Sequence, residues 1–247
     1  MKSPIDPASQ PHSRLLLNMS ILITGGGSQI GLAAAQALKA THPSVPIIFA
    51  TRSGSRIPSA FKTVTVDFAD PSTFDNAFNP DVGPIRSVYL LTPHGPDPSR
   101  GLITFVNKAI ENGTKRFVLL SGSILVKESM HPGAKIWRHF EEEDVEYVIL
   151  KPTSFIGKCQ PDQLPEEDTQ WFAADNIKTE FAAYIRESDS FQTAVPTGKI
   201  PMVSSKDIGE VAARALIADK VESNEVVIIG PQLLTFEEVS PQRRKNK

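Results

Sequence analysis

The sequence has few of the residues that build covalent or metal-based frameworks. It contains a single cysteine, Cys159, among 247 residues. One thiol cannot form an internal disulfide or a cysteine zinc cluster, so both are excluded within one chain. The five histidines show no metal-ligand spacing either, and we predict no metal site. These histidines are His12, His42, His94, His131 and His139.

An excess of positive charge and a long apolar run are also missing. The 26 lysines and arginines are balanced by 28 aspartates and glutamates, a net charge of −2, which gives no electrostatic basis for binding nucleic acid. No apolar run approaches the roughly 18–20 residues of a membrane helix. Residues 1–18 contain three prolines and no signal-peptide core, and we expect a disordered extension there. We therefore predict a cytoplasmic protein without nucleic-acid or membrane partners.

The sequence does contain a regular alternation of two apolar patterns. Short runs of apolar and β-branched residues predict strands at 21–23, 46–50, 64–66, 87–91, 116–120, 147–150 and 226–229. Apolar residues at helical spacing predict helices at 30–38, 102–110, 133–143, 175–187 and 206–218. Continuous apolar strands separated by helices are typical of a parallel sheet covered on both faces. The predicted fold class is α/β, a Rossmann-type doubly wound parallel sheet with a small C-terminal substrate region.

The loop after the first predicted strand is rich in glycine and leads directly into a predicted helix. It reads Thr24-Gly25-Gly26-Gly27-Ser28-Gln29-Ile30-Gly31. Glycine allows positive φ angles and a close approach of backbone to ligand, and a helix N-terminus offers free N–H groups to phosphate. A strand, a glycine turn and a helix in this order predict a dinucleotide site, although an ordinary strand-to-helix turn is the alternative. The predicted contacts are Thr24, Gly25, Gly27, Gln29, Ile30 and Gly31.

The end of the second predicted strand indicates which dinucleotide is bound. NAD sites usually have an acidic residue there for the ribose hydroxyls, but no Asp or Glu occurs between Gly31 and Asp67. Arg52 and Arg56 instead offer guanidinium donors suited to a 2′-phosphate, and Ser53 adds a hydroxyl. The pattern predicts NADP(H) as cofactor, the alternative being surface arginines on a loop.

This cofactor prediction divides the chain into four parts. Residues 1–18 are the extension and 19–155 an NADP-binding domain. Residues 156–238 hold the substrate-region elements and the last strand, and residues 239–247 form a tail.

Later strand ends supply further candidates for cofactor binding. Asp67 is placed to accept a hydrogen bond from the adenine amino group, with Phe68 beside the ring. Capping of the helix near Pro71 is an open alternative for Asp67. Thr92 and Pro93 follow the fourth strand, where the ribose and nicotinamide of a cofactor pass.

One motif match is rejected on its context. Short-chain dehydrogenases carry a Tyr-x-x-x-Lys pair on a helix, and Tyr147 and Lys151 have this spacing. Residues 147–151 are apolar and β-branched and are followed by Pro152, which predicts a core strand. Residues four apart lie roughly 13 Å apart on a strand, against about 6 Å on a helix. The sequence therefore lacks the usual tyrosine acid.

Several strings together resemble a known family. Residues 117–123 (Phe-Val-Leu-Leu-Ser-Gly-Ser) and 148–155 (Val-Ile-Leu-Lys-Pro-Thr-Ser-Phe) resemble NmrA-like atypical short-chain reductases. Residues 198–203 (Gly-Lys-Ile-Pro-Met-Val) and 230–235 (Gly-Pro-Gln-Leu-Leu-Thr) are similar to the fungal ergot-alkaloid clavine dehydrogenases. The resemblance covers about residues 19–238.

The sequence departs from the family pattern in three places. Ser28 stands where the family has a glycine, which is expected to shift which amide meets the pyrophosphate. Residues 157–190 do not match the family's substrate region. Relatives continue with another helix after residues 230–235, so we expect a shortened C-terminus.

The resemblance implies NADPH-dependent reduction of an iminium carbon in an alkaloid or other secondary metabolite. Hydride addition to a cationic C=N yields a neutral amine, so this step needs no proton donor, unlike carbonyl reduction. Ser121 and Ser123, at the end of the fifth strand, and Lys135 on the next helix are the catalytic candidates. Ser121 and Thr153 are also predicted to contact the cofactor.

Two other functions are compatible with the sequence. One is a non-catalytic, NADP-sensing regulator with a protein partner, as some NmrA-like proteins are. The other is a quinone reductase or an isoflavone-type reductase.

Overall fold

The computed structural model describes residues 19–25, 27–54, 56–93, 98–153, 155–156, 187 and 197–235. The strands are β1 (Ser20–Ile23), β2 (Ile47–Thr51), β3 (Lys62–Thr65), β4 (Ile85–Leu91), β5 (Arg116–Leu120), β6 (Glu146–Pro152), β7 (Phe155–Ile156), β8 (Ile200–Pro201), β9 (Val203–Ser204), β10 (Glu225–Ile228) and β11 (Leu233–Leu234). The α-helices are α1 (Gln29–Thr41), α2 (Pro98–Glu111), α3 (Pro132–Glu142) and α4 (Ser205–Ile217), and a 3-10 helix spans Pro71–Ala77.

Seven strands form one parallel sheet in the order β10-β6-β5-β4-β1-β2-β3. From β1 the chain proceeds to one side through β2 and β3, then returns to the other side of β1 at β4. The strand order therefore reverses between β1 and β4, which is the switch point where ligands of such sheets bind. Two small sheets pair β7 with β9 and β8 with β11.

The two faces of the sheet carry separate hydrophobic cores. On one face, α2, α3 and the 3-10 helix contribute buried residues that include Phe74, Phe105 and Phe140. On the other face, α1 and α4 cover the sheet with small and aliphatic residues such as Ala34 and Ala212. The predicted Rossmann-type doubly wound sheet is therefore confirmed. The helix predicted at 175–187 lies outside the described residues, apart from Glu187.

Helices α1 and α4 cross very closely, because a glycine lies at the contact. A Cβ added to Gly209 of α4 would lie 2.5 Å from the Cβ of Ala33 and 2.8 Å from the backbone nitrogen of Ala34. Only a residue without a side chain fits here. The crossing packs the first helix of the glycine-turn unit tightly against α4.

A buried arginine at the amino end of β5 caps the C-terminus of α4. The Arg116 side chain is 2% exposed, and its Nε donates to Glu146 Oε2 at 2.9 Å. Its Nη1 donates to the carbonyl oxygens of Ala215, at 3.3 Å, and of Ala218. Unpaired helix C-terminal carbonyls and a buried guanidinium are both costly, and this arrangement satisfies both.

Residues at the start of β4 also bind the C-terminal carbonyl groups of α4. Arg86 Nη2 donates to the carbonyl oxygen of Ala218 at 2.8 Å, and Ser87 Oγ donates to that of Leu216 at 2.9 Å. Burial, and then the positive charge of Arg116, lower the pKa of Arg86. Together the two strands fix α4 at the amino ends of the central strands.

Candidate active site

The switch point is held together by Thr24, which follows β1. Its backbone N–H donates to the carbonyl oxygen of Tyr89 at 3.0 Å, and its Oγ1 accepts from the N–H of Leu91 at 3.2 Å. These bonds fix the end of β1 against the end of β4. Thr24 is buried, and its hydrogen bonds fix the backbone around the predicted cofactor site.

The glycine turn has the backbone conformation that its sequence predicts. Gly25 and Gly27 have φ angles of +89° and +84°, and Gly26 lies outside the described residues. A Cβ at Gly25 would lie 2.8 Å from Leu91 Cδ2, and one at Gly27 would lie 2.9 Å from Arg56 Cβ. The turn leaves no room for side chains at these two positions. Leu91, whose side chain lies against Gly25, was not among the predicted site residues.

Ser28 takes a role that the departure from the family pattern did not predict. Its φ is −60°, so glycine is not required there, and it is the N-cap of α1. Its Oγ accepts from the N–H of Gly31 at 3.2 Å. A Cβ at Gly31 would lie 2.9 Å from that Oγ, so the absence of a side chain at residue 31 leaves room for the cap. The N–H of Gly31 is therefore bonded within the turn itself, next to Gln29 and Ile30 of the first helical turn.

The loop after β2 lies beside the glycine turn. Arg56 contacts Gly27 through its Cβ and backbone, as the 2.9 Å and 3.0 Å approaches to a Cβ at Gly27 show. Gly54 turns the loop with a φ of +69°, and its N–H donates to Thr51 Oγ1 at 3.3 Å. The side chains of Arg52 and Arg56 are exposed, as is Ser53. The structure thus brings Arg56 against the glycine turn, where the pyrophosphate is predicted to bind.

Asp67 and Phe68 have defined structural contacts after β3. Asp67 Oδ1 accepts from the N–H of Ala69 at 3.0 Å, whereas the N-cap of the 3-10 helix is Asp70. Phe68 packs edge-on against Phe105 with ring centroids 5.3 Å apart. Asp67 is therefore not the helix cap, and adenine binding by these two residues stays a prediction.

The remaining cofactor candidates follow β4 and β6. Thr92 and Pro93 are partly exposed after β4, whereas His94 lies outside the described residues. Thr153 Oγ1 donates to the carbonyl oxygen of Pro201, and the Thr153 N–H donates to that of Ile228 at 3.0 Å. The Thr153 hydroxyl therefore links β6 to β8, which leaves its lone pairs for a ligand.

Ser121 carries an unpartnered hydroxyl at the end of β5. Its backbone N–H donates to the carbonyl oxygen of Leu150 at 2.9 Å, but its buried Oγ has no hydrogen-bond partner. Among the described residues, three other buried side-chain polar atoms are also unpaired, on Tyr89, Thr114 and Trp137. Of these four, Ser121 is the one that directly follows the carboxyl end of a strand. Ser123, two residues on, is partly exposed.

Lys135, a predicted catalytic candidate, and His139 both lie on α3 but differ in their surroundings. Lys135 is partly exposed in the first turns of α3. His139, farther along this helix, contacts Asn107 Oδ1 of α2 through Nε2 at 2.5 Å. His139 therefore links two helices and is not a member of the site.

The Tyr-x-x-x-Lys string lies on β6, as its apolar pattern predicts. Tyr147 donates through its hydroxyl to Glu141 Oε1 at 2.9 Å. Lys151 Nζ lies 3.1 Å from Glu225 Oε2 and 5.4 Å from the centre of the Trp137 ring. The two side chains thus have separate partners and do not form a catalytic pair.

Two surface cavities lie at the amino ends of the strands, at the edge of the sheet opposite to the glycine turn. One of about 530 Å³ is lined by residues at the start of β1 and by residues at and just before the starts of β2 and β3, such as Pro46 and Phe61. The other, of about 310 Å³, lies before β4 and is lined by residues such as Pro84. Neither borders the glycine turn or Ser121.

Two further kinds of feature are absent from the part of the chain that the structure describes. In the described ranges, no cluster of three or more His, Cys, Asp or Glu side chains is arranged to hold a metal ion. No helix in this part of the chain is both long enough and apolar enough to cross a membrane.

Sequence comparison finds relatives among fungal alkaloid enzymes. Agroclavine dehydrogenase of Claviceps fusiformis is 35% identical over 226 residues, which cover 90% of this chain and 71% of that protein. Festuclavine dehydrogenase of Aspergillus fumigatus is 30% identical over 228 residues, with coverage of 90% and 71%. No family model matches the chain.

Solved structures share the fold at low sequence identity. The triphenylmethane reductase of Citrobacter sp., solved with NADP(H), has a TM-score of 0.61 and 19% identity, over 89% of this chain and 73% of that one. The yeast methylglyoxal/isovaleraldehyde reductase Gre2, solved with NADPH, has a TM-score of 0.55 and 16% identity, over 85% and 75%. This similarity establishes the Rossmann-type architecture.

Proposed function

The chain belongs to the clavine dehydrogenase family. From this membership and the geometry of the site, we propose that the protein is an NADPH-dependent reductase, which transfers a hydride to the iminium carbon of an alkaloid-type substrate. The family membership confirms the resemblance seen in the sequence and the predicted enzyme class, an oxidoreductase. The cofactor expected from the sequence, NADP(H), is the one present in two of the solved structures that share the fold.

The observation that carries the proposal is the fit of the glycine turn to a dinucleotide. Gly25 and Gly27 have positive φ angles and leave no space for a Cβ, so the backbone itself forms the surface of the turn. The turn lies at the switch point and precedes the N-terminus of α1, where a phosphate is stabilised by N–H groups and the helix dipole. Arg56 contacts the same turn. We assign the pyrophosphate to this turn and the 2′-phosphate to Arg52 and Arg56.

The unpaired Ser121 hydroxyl supports a ligand at the end of β5. A buried hydroxyl without a partner costs about 1–3 kcal/mol, and a ligand group that hydrogen-bonds to it recovers this free energy. Ser121 follows β5, which is paired with β4 next to the switch point. We assign to it the orientation of the nicotinamide or the substrate.

The described tyrosines do not supply the proton that carbonyl reduction requires. Tyr147 donates to Glu141 and packs in the core on the α2 and α3 face of the sheet, opposite to the face covered by α1. Tyr89 is fully buried in the core beneath α1 and α4, and burial raises its pKa above the usual value. NADPH supplies a hydride when bound. Hydride addition to a cationic C=N carbon converts the C=N double bond to a C–N single bond and yields a neutral amine, with no protonation needed.

In this mechanism the chain orients and shields the reactants. The glycine turn and the loop after β2 that carries Arg52 and Arg56, the arginine loop, bind the phosphate groups. Thr24 holds the ends of β1 and β4 together. Ser121 donates or accepts one hydrogen bond at the reacting end. Correct placement of two reactants contributes a large part of the rate, because it removes their freedom to move apart.

A deuterium-transfer experiment tests the proposal. The protein is incubated with NADPH deuterated at the transferred position and with either a cyclic iminium or the ketone of the same ring size. We expect the label at the former iminium carbon and at least 100-fold slower turnover of the ketone, as an estimate of what general acid catalysis contributes. Equal reduction of the ketone would indicate a carbonyl reductase. Tight NADPH binding without turnover of either compound would indicate the regulatory function.

A further inference from the structure

Helices α1 and α4 lie side by side and run in the same direction. At their first residues, Ser205 Oγ donates to Gln29 Oε1 at 3.4 Å. Four residues further along each helix, a Cβ added to Gly209 would lie 2.5 Å from the Cβ of Ala33. Four residues are about one helical turn, so the two contacts have the same spacing on both helices. The N-terminus of α4 is therefore next to that of α1, at the carboxyl ends of the strands.

The two N-termini differ in how the positive ends of their helix dipoles are compensated. Both have a serine cap, since Ser28 Oγ accepts from the N–H of Gly31 and Ser204 Oγ accepts from that of Asp207. The first turn of α4 also contains the carboxylate of Asp207, whereas the first turn of α1 contains no acidic residue. Carboxylates and phosphates both stabilise helix N-termini. The start of α4 is thus compensated by the chain itself, and a phosphate is needed only at α1.

Helix α4 is held at both of its ends by elements other than α1. Just before its start, the carbonyl oxygen of Pro201 accepts from Thr153 Oγ1, and Val203 of β9 pairs with Phe155 of β7. At its C-terminus, the last carbonyl groups accept from the two arginines at the amino ends of β4 and β5. Helix α4 is therefore a fixed support against which α1 is placed.

We propose that Ser205 and Gly209 are positioning residues for the cofactor, because they set where the N-terminus of α1 meets the pyrophosphate. The inference rests on the proposed function. A side chain at residue 209 would collide with Ala33 and with the backbone nitrogen of Ala34, so α1 must move relative to α4. Thr24 holds the end of β1 against β4. A shift of α1 therefore distorts the glycine turn between them and displaces its N–H groups from the phosphate.

The test uses three ligands that contain different phosphate groups, each measured by calorimetric titration. NADPH contains both the pyrophosphate and the 2′-phosphate, ADP only the pyrophosphate, and adenosine 2′-monophosphate only the 2′-phosphate. In Gly209→Ala we expect the Kd of NADPH and of ADP to rise about 10-fold, because hydrogen bonds to the charged pyrophosphate are displaced. The Kd of adenosine 2′-monophosphate should not change, since the arginine loop is not part of α1.

A second variant tests the same end of α4 without adding bulk. Ser205→Ala removes the hydrogen bond to Gln29, and we expect the Kd of NADPH and of ADP to rise about 2- to 3-fold. Ser205→Thr keeps the hydroxyl and should keep the wild-type Kd. This series remains informative if Gly209→Ala does not fold, which its thermal unfolding midpoint shows.

The matched control loosens the opposite end of the same helix. Ser87→Ala removes the hydrogen bond to the carbonyl oxygen of Leu216 near the C-terminus of α4. This variant should lower the thermal unfolding midpoint and leave the Kd of all three ligands unchanged. A general loss of stability is thereby separated from a displacement of the α1 N-terminus.

The wild-type titrations separate failure of the inference from failure of the proposed function. A wild type that binds none of the three ligands contradicts the proposed function, and the inference fails with it. If the wild type binds NADPH, an unchanged Kd in the folded variants at residues 205 and 209 overturns the inference alone. An equal loss of affinity for all three ligands also overturns it, since the substitutions would then loosen the whole domain.

Discussion

The amino and carboxyl ends of the same central strands differ in how their polar side chains are satisfied. At the amino ends, Arg116 and Arg86 donate to the last carbonyl groups of α4, and the buried Ser87 hydroxyl donates to Leu216. At the carboxyl ends, the Ser121 hydroxyl is buried without a partner, and the turn at Gly27 exposes its backbone. The bonds of Arg116, Arg86 and Ser87 are complete within the chain, although the Thr114 hydroxyl just before β5 is also buried and unpaired. We propose that a ligand completes the Ser121 end.

This difference separates residues that stabilise the fold from residues that bind. Buried polar groups with all their bonds formed add stability and specificity to the fold. A buried polar group left unpaired costs stability, and a ligand or an ordered water that supplies the missing bond removes this cost. Substitutions at the amino ends should therefore change unfolding, and those at the carboxyl ends should change cofactor binding and turnover.

The largest effect is expected at Arg116. Arg116→Met removes the donors to Ala215 and Ala218 and leaves Glu146 without its partner. We expect the free energy of unfolding to fall by about 3 kcal/mol, because the last carbonyl groups of α4 lose a buried charged donor, whereas the half-exposed Glu146 carboxylate can be solvated. Urea denaturation measures the change, with Lys115→Met as the exposed neighbouring control. A loss below about 0.5 kcal/mol would show that the amino-end cluster is not structural.

The next effect is expected at Gly27. A valine there combines a φ of +84° with a collision against Arg56, so the turn must change shape. We expect NADPH affinity to fall about 100-fold, since backbone strain at such a site costs about 1–3 kcal/mol and the phosphate contacts are displaced. Gly113→Val is the matched control, because its φ of +87° is similar and nothing lies within 4 Å of the added Cβ. Equal NADPH affinity in both variants would show that the glycine turn is not part of the cofactor site.

A smaller effect is expected at the arginine loop. Arg52→Ala removes a donor to the 2′-phosphate, and hydrogen bonds to charged groups contribute about 1.5–3 kcal/mol, which is about 10- to 100-fold in Kd. Calorimetric titration should show this loss for NADPH and little change for NADH. Arg214→Ala, an exposed arginine of α4, is the control. A parallel loss for both cofactors would place Arg52 away from the 2′-phosphate.

The smallest effect compares two buried serines at opposite ends of the sheet. Ser87→Ala removes the bond to Leu216 and should lower the free energy of unfolding by about 1 kcal/mol. Ser121→Ala removes a hydroxyl that has no partner and should leave stability unchanged or slightly higher. Turnover should respond in the reverse order, with kcat lowered about 10-fold in Ser121→Ala alone. Loss of stability in Ser121→Ala without loss of turnover would contradict its assignment to the site.

Local patterns explain why much of the fold could be predicted. The apolar run at 147–151 predicted a strand in spite of its Tyr-x-x-x-Lys spacing, and the structure places it in β6. The glycine turn could also be predicted from the sequence, because the strand before it and the helix after it are contiguous with it. The absence of an acidic residue after β2 predicted NADP(H) as the cofactor instead of NAD(H).

The missed features depend on contacts between distant parts of the chain. Thr153 donates to Pro201, 48 residues away, and this bond cannot be read from a strand pattern. Arg116 looked like an ordinary strand start, because its partners belong to a helix about 100 residues later. The exposed position of Ile124 and Met130 was also not predicted, although apolar residues in a loop between Gly122 and Pro132 were a visible signal.

The most direct test of the central claim is a titration of the purified wild-type protein with NADPH and with NADH, followed by the fluorescence of the bound nicotinamide. If the carboxyl ends form an NADP(H) site, NADPH binds saturably and about 10-fold or more tighter than NADH, because only NADPH carries the 2′-phosphate that we assign to Arg52 and Arg56. Equal affinity for the two cofactors, or binding of neither, would contradict it.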